Sequence, residues 1–168
     1  VPLSNGLKVS EKKNADGTRT DYWKMDLPHA PYLFFMGVGE YSIIKDTPYK
    51  GKEVSYYVEK DQAPFAKKVF GNTPEMIKFF SEKLGVDFPW QKYAQIVGRD
   101  YVSGAMENTT ATLHQESAYQ NNRQLADENL WESTIAHELF HQWFGDLATT
   151  ESWSNITVNE SFANYSEY

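Results

Sequence analysis

His137-Glu138-Leu139-Phe140-His141 constrains this 168-residue chain more than any other feature. Positions four apart share one face of an α-helix, so both imidazoles can reach one ion only if this stretch is helical. Glu138 is turned partly around the same side, close enough to take a proton from a water beside the ion but badly placed to ligate it. The chain has no cysteine, which rules out disulfides and thiolate sites and leaves His, Asp and Glu as ligands. A catalytic zinc takes three protein ligands and keeps one position open. The third ligand must therefore come from a separate element. Glu160 answers the need: eighteen residues separate it from His141, and it lies in the helix-compatible stretch Val158–Ala163. The intervening segment, 146–155, is rich in Ser, Thr and Asn and can fold one helix back on the other. An isolated His pair would fit a merely structural helix; with Glu160 in place, the zinc reading is the stronger.

Upstream the pattern changes character near residue 50. Before it, Asn14–Gly17 reads as a turn, Tyr22–Leu27 alternates, and Tyr32–Val38 and Glu40–Lys45 are rich in aromatic and β-branched residues. After it come a short strand over Val54–Tyr57 and helical patterns over Gln62–Phe70 and Thr73–Leu84. The second of these helices has Thr73 as N-cap, Pro74 at its first helical position and Gly85 as its stop. Tyr93–Val97 reads as a strand, Ser103–Leu113 as one extended threonine-rich segment, and Leu125–Leu147 as a long helix. Strands first and helices later point to an α+β fold. Thr47–Gly51 is expected to mark a domain boundary or a sheet edge, dividing residues 1–50 from 51–168.

The net charge of −7 argues against nucleic acid or an anionic membrane as partner. Tyr32–Val38, the longest apolar run, is too short to cross a bilayer. No signal peptide is visible, and the missing initiator Met and abrupt stop suggest a piece of a longer chain.

Two blocks carry a resemblance. His137–Gly145 with Asn159-Glu160 is one; Gly104-Ala105-Met106-Glu107-Asn108 is the other. In this order and at this distance the sequence resembles the aminopeptidase N family of gluzincin zinc metallopeptidases. The resemblance implies the end of an N-terminal β domain followed by the first part of a thermolysin-like catalytic domain. It implies zinc on His137, His141 and Glu160, with Glu138 as general base. Glu107 would bind the free amino terminus of a peptide, with Gly104, Ala105, Met106 and Asn108 lining the substrate side. The implied partners are peptides with a free amino terminus and the remaining domains of the parent chain.

Some positions depart from the family's usual wording. Asn155 stands where Asp is usual, which would weaken a carboxylate contact behind the metal; Thr157, Ser161 and Asp146 are further departures. The family's catalytic Tyr lies farther downstream than Tyr165 and Tyr168, which read as packing residues of the Glu160 helix. The 168 residues alone are thus expected to bind zinc weakly and to show little turnover. Two other functions fit the same residues, a zinc endopeptidase and a non-catalytic scaffold relative. The bland readings elsewhere are a surface-loop His29 and a packing or solvent-facing His114. Trp131, Trp143 and Phe144 read as core, and Asp127, Glu128 and Glu132 as favourable charges at a helix start.

Overall fold

The computed structural model describes residues 1–168. Four short strands come first: β1 (Pro2–Ser4), β2 (Leu7–Lys13), β3 (Arg19–Lys24) and β4 (Met36–Val38). β2 and β3 form an exposed hairpin whose turn follows Asn14, with Gly17 in the left-handed region at φ 85°. β1 pairs antiparallel with β4, Leu3 opposite Gly37.

The centre is a five-stranded mixed sheet. Its strands are β5 (Tyr41–Lys45), β6 (Glu53–Glu59), β7 (Lys92–Gly98), β8 (Ala105–Met106) and β9 (Ala111–Gln115), in the spatial order β5-β6-β7-β9-β8. β6, β7 and β9 run parallel and both edge strands run antiparallel to their neighbours. Strand alternation sorts the side chains onto two faces. Val54, Tyr56 and Val58 of β6 join Tyr93 and Val97 of β7 in the larger core, while Tyr57, Ala94 and Ile96 join Leu3 in a smaller one. Strands buried on both faces must be central, and β6 and β7 are.

Parallel neighbours need a crossover. α1 (Ala66–Phe70) and α2 (Thr73–Leu84) carry the chain from β6 to β7 and cover the larger core together with α3 (Glu132–Phe140). α4 (Thr157–Tyr165) packs beside α3. The architecture is α+β, as the sequence pattern indicates.

Several boundaries differ from the sequence reading. The helix expected over Gln62–Phe70 is only α1: before it the bonds run i to i−3, Phe65 N to Gln62 O at 3.0 Å among them, and Pro64 has no N–H to offer an α-helical bond. α2 has the expected limits and ends at Gly85 with φ 66°, but its N-cap is Asn72; Thr73 is already helical and its hydroxyl donates back to Phe70 O at 2.6 Å. The extended segment 103–113 is a hairpin, β8 and β9 joined by a turn at Glu107–Thr110. The long helix shrinks to α3. Asn129 Oδ1 takes the N–H of Trp131 ahead of it, and beyond His141 the chain closes into turns, with Asp146 N on His141 O and Ala148 N on Trp143 O, both at 2.9 Å. Only Glu132 of the three acids therefore lies in the first turn. Tyr165 and Tyr168 are exposed rather than packed, since α4 turns only Asn159 and Ala163 fully inward. Trp143 is core; Trp131 and Phe144 lie at its margin. The division placed at residue 50 falls in the Tyr49–Lys52 turn between β5 and β6, which are hydrogen-bonded neighbours. No helix is long and apolar enough to cross a membrane.

Candidate metal centre

α3 is anchored by Ile135 and Leu139, both fully buried at the i, i+4 spacing. That anchoring fixes the rotation of the helix and sends His137 and His141 to its other side, toward α4. There the two imidazoles meet Glu160. His137 Nε2 and His141 Nε2 are 3.0 Å apart, and Glu160 Oε2 lies 3.4 Å from the first and 3.6 Å from the second. A circle through three atoms so spaced has a radius of about 1.9 Å, close to the ~2.0–2.2 Å that zinc keeps from imidazole nitrogen and carboxylate oxygen. One ion can touch all three.

The outer nitrogens explain why these atoms need a cation. His137 Nδ1 meets Glu167 Oε1 at 2.8 Å, and His141 Nδ1 meets the Phe144 carbonyl at 2.9 Å. Both partners only accept, so each Nδ1 carries the proton and each neutral ring turns a lone pair inward at Nε2. Two lone pairs and a carboxylate then converge with no donor among them. Only a proton or a metal ion relieves that. The protonated alternative shows in the electrostatics. Burial pulls the His137 imidazolium down, but Glu160, Glu138 and Glu167 outweigh it and raise it to about 9. His141 is likewise raised, burial being outweighed first by Glu160. Hydrogen bonds from His137 and His141 hold Glu160 well below the usual carboxylate range. Gly145 belongs to the same construction: its φ is 134°, and a Cβ there would sit 3.0 Å from His141 Nδ1.

Glu138 is buried and its Oε2 has no hydrogen-bond partner. Burial, foremost, pushes its carboxyl up to about 7 despite the nearby imidazoles. Glu107 is buried too, and its carboxylate, that of Glu138 and a nitrogen of His141 lie within 4.8 Å of one another. Asp146 sits close by with neither oxygen hydrogen-bonded, its carboxyl raised by burial and then by Glu107. Ala105 and Met106 form the outer edge strand β8, half-buried, with Gly104 exposed before them. Asn108 lies in the turn that follows β8. It is buried, and its Nδ2 reaches the carbonyls of Leu33 and Phe34, both at 3.4 Å.

Asn155 does not stand behind the metal cluster. It is exposed and bonds Ser152 Oγ at 3.2 Å. The carboxylate behind His137 is Glu167, which sequence reasoning missed: it lies two residues past the end of α4, and no local pattern ties it to His137. His29 is half-buried rather than a free surface side chain, with Nδ1 3.1 Å from Thr109 Oγ1. His114 is core. It lies between Gln95 Oε1 at 2.9 Å and the Trp131 indole N–H at 3.1 Å, and burial lowers its pKa to about 3. Two concavities of about 530 Å³ flank the N-terminal strands rather than the His137 cluster, so the site is recognised by its side chains and not by cavity shape.

Residues 69–168 match the Peptidase family M1 domain, which is more than half of the chain. The chain belongs to peptidase family M1. Its similarity to family members extends beyond that match to the whole sequence. It is 33% identical to aminopeptidase M1 of Arabidopsis thaliana over 174 residues, covering 100% of this chain and 19% of the relative. Human glutamyl aminopeptidase is 30% identical over 177 residues, with 99% and 18% covered. Rat endoplasmic reticulum aminopeptidase 1 is 29% identical over 171 residues, with 100% and 18% covered. The chain thus spans about a fifth of the length of these M1 relatives.

Proposed function

We propose that the protein containing this chain is a zinc-dependent aminopeptidase that releases residues from the amino terminus of peptides. The observation that carries the reading is the convergence of Glu107, Glu138 and His141 beside the His137, His141 and Glu160 cluster. The relatives, all aminopeptidases, agree with it. Zinc bound there supplies a Lewis acid toward the scissile carbonyl and lowers the pKa of water.

This chain's own residues do the rest. Glu138, with an unpartnered Oε2 and a pKa near neutrality, accepts a proton from the attacking water and returns it to the leaving amine. Glu107 receives the terminal ammonium in a charge-assisted hydrogen bond, which an internal peptide bond cannot offer. The free edge of β8 at Gly104, Ala105 and Met106 lets an extended substrate lie alongside, and Asn108 holds the following turn. In this reading residues 1–50 close a preceding β domain and residues 51–168 open the catalytic domain. The 168 residues alone are expected to hold zinc weakly with little turnover.

The test uses the full-length protein, leucine p-nitroanilide and its N-acetyl derivative. Cleavage of the free-amino substrate alone, abolished by a chelator, restored by zinc and weakened by Glu107→Gln, is the expected result. Equal cleavage of the acetylated substrate would make the protein an endopeptidase. No metal-dependent cleavage of either would leave a scaffold.

A further inference from the structure

The turn that carries Glu107 contains an anomaly. Thr110 has φ 65°, a left-handed conformation that β-branched residues avoid because Cβ crowds the backbone. Such strain persists only where surrounding bonds over-determine it. Here the bonds come from three directions. Gln142 Oε1 accepts the Thr110 N–H at 3.0 Å while Gln142 Nε2 donates to Glu107 O, also at 3.0 Å. Lys92 Nζ donates to Thr110 O at 2.9 Å and to its Oγ1 at 3.1 Å. The Gly6 N–H reaches the same Oγ1 at 2.9 Å. Gln142 and Thr110 are both fully buried, so no water takes over if a bond is lost.

One carboxamide therefore closes both ends of the four-residue turn 107–110. That carboxamide belongs to the residue after His141, and its own backbone is tied by the Trp90 indole N–H to Gln142 O at 2.8 Å. Glu107 comes from the sheet edge and His141 from the metal helix. Gln142 is the side chain that joins them.

We propose that Gln142 is the positioning residue for Glu107, holding the strained 107–110 turn so that the amine-binding carboxylate keeps its distance from the metal cluster. The proposal rests on the aminopeptidase reading of Glu107. Released from Gln142, the turn relaxes toward ordinary φ at Thr110 and carries Glu107 with it, while the ligands on α3 and α4 stay where they are. A displacement on the order of 1 Å at a charge-assisted contact weakens it about tenfold or more.

The experiment measures binding in the zinc-loaded full-length protein with two probes, leucine hydroxamate and 4-methylpentanoyl hydroxamate, which differ only in the α-amino group. Their affinity ratio reports the amine contact, and the second probe reports the metal alone. Gln142→Met, similar in shape but unable to bond, is expected to reduce the ratio about tenfold with the 4-methylpentanoyl affinity and zinc content unchanged. In peptide hydrolysis the same variant raises KM more than it lowers kcat. Thr110→Gly, which removes the left-handed penalty, is expected to restore much of the ratio in the Gln142→Met background. A purely structural role for Gln142 would not respond to that second change. An unaltered ratio, or a loss of zinc accompanying the change, would overturn the proposal. A wild-type ratio of one would overturn the Glu107 reading and this proposal together, whereas a wild-type preference that survives Gln142→Met would overturn only this one. Should Gln142→Met fail to fold, Gln142→Glu keeps the bond to Thr110 N–H, sets an oxygen against Glu107 O, and must lower the ratio in the same way.

Discussion

Replacing Glu167 by Gln in the full-length protein keeps the shape behind His137 but removes the charge that meets Nδ1 at 2.8 Å. Two consequences of opposite sign follow. The imidazole becomes a poorer donor to the metal, and loss of such an outer partner costs about 10–100-fold in affinity. Because the Glu167 side chain is 28% exposed, water screens part of its effect, and the lower end, about tenfold, applies. The second consequence is relief from proton competition. With His137 raised to about 9, the metal at about pH 7 must displace a proton held some two units above the solution pH, a handicap of about a hundredfold. Glu167 is among the carboxylates that raise His137, so the variant lessens this handicap at about pH 7. Above about pH 9 His137 is already neutral and there is little handicap to lessen. The loss of zinc affinity should therefore be about tenfold at about pH 9.5 and smaller at about pH 7. Competition with a chromophoric chelator at both pH values measures it, against the unaltered protein. Equal affinities at the higher pH, or a loss that grows as pH falls, would refute the reasoning.

Three further outcomes are expected. Glu138→Gln should keep zinc but lower kcat about 10²–10⁴-fold, read by steady-state hydrolysis with metal content measured in parallel. His114 is neutral and buried in the folded chain at a pKa of about 3, while the unfolded chain takes up a proton below about 6.5. Stability is thus full above about pH 6.5 and is lost as pH falls from there toward about 3, by up to about 5 kcal/mol; acid unfolding followed by tryptophan fluorescence should move to lower pH in His114→Gln. Leu139→Ala empties a fully buried position beneath the metal helix and should cost about 2–5 kcal/mol in denaturant unfolding, with zinc affinity falling as α3 loses its anchor.

The convergence of His137 and His141 was legible in the sequence because helix geometry is local. Two His residues four apart must share a face wherever the helix sits, and Ile135 with Leu139 shows which face goes inward. α2 was legible for the same reason, since Pro74 and Gly85 mark its ends through their own backbone limits. What lay beyond local rules was decided by tertiary contacts. The length of α3 depends on Asn129 capturing the Trp131 N–H and on the turns after His141. The hairpin at Glu107–Thr110 exists because Gln142, Lys92 and Gly6, all distant in sequence, hold Thr110 against its own preference. Glu167 could be found only once α4 had packed on α3 and turned its carboxylate to His137. The sequence by itself determined which atoms can hold an ion; only the tertiary structure decided which side chains hold those atoms in place, because that support acts between segments brought together by folding.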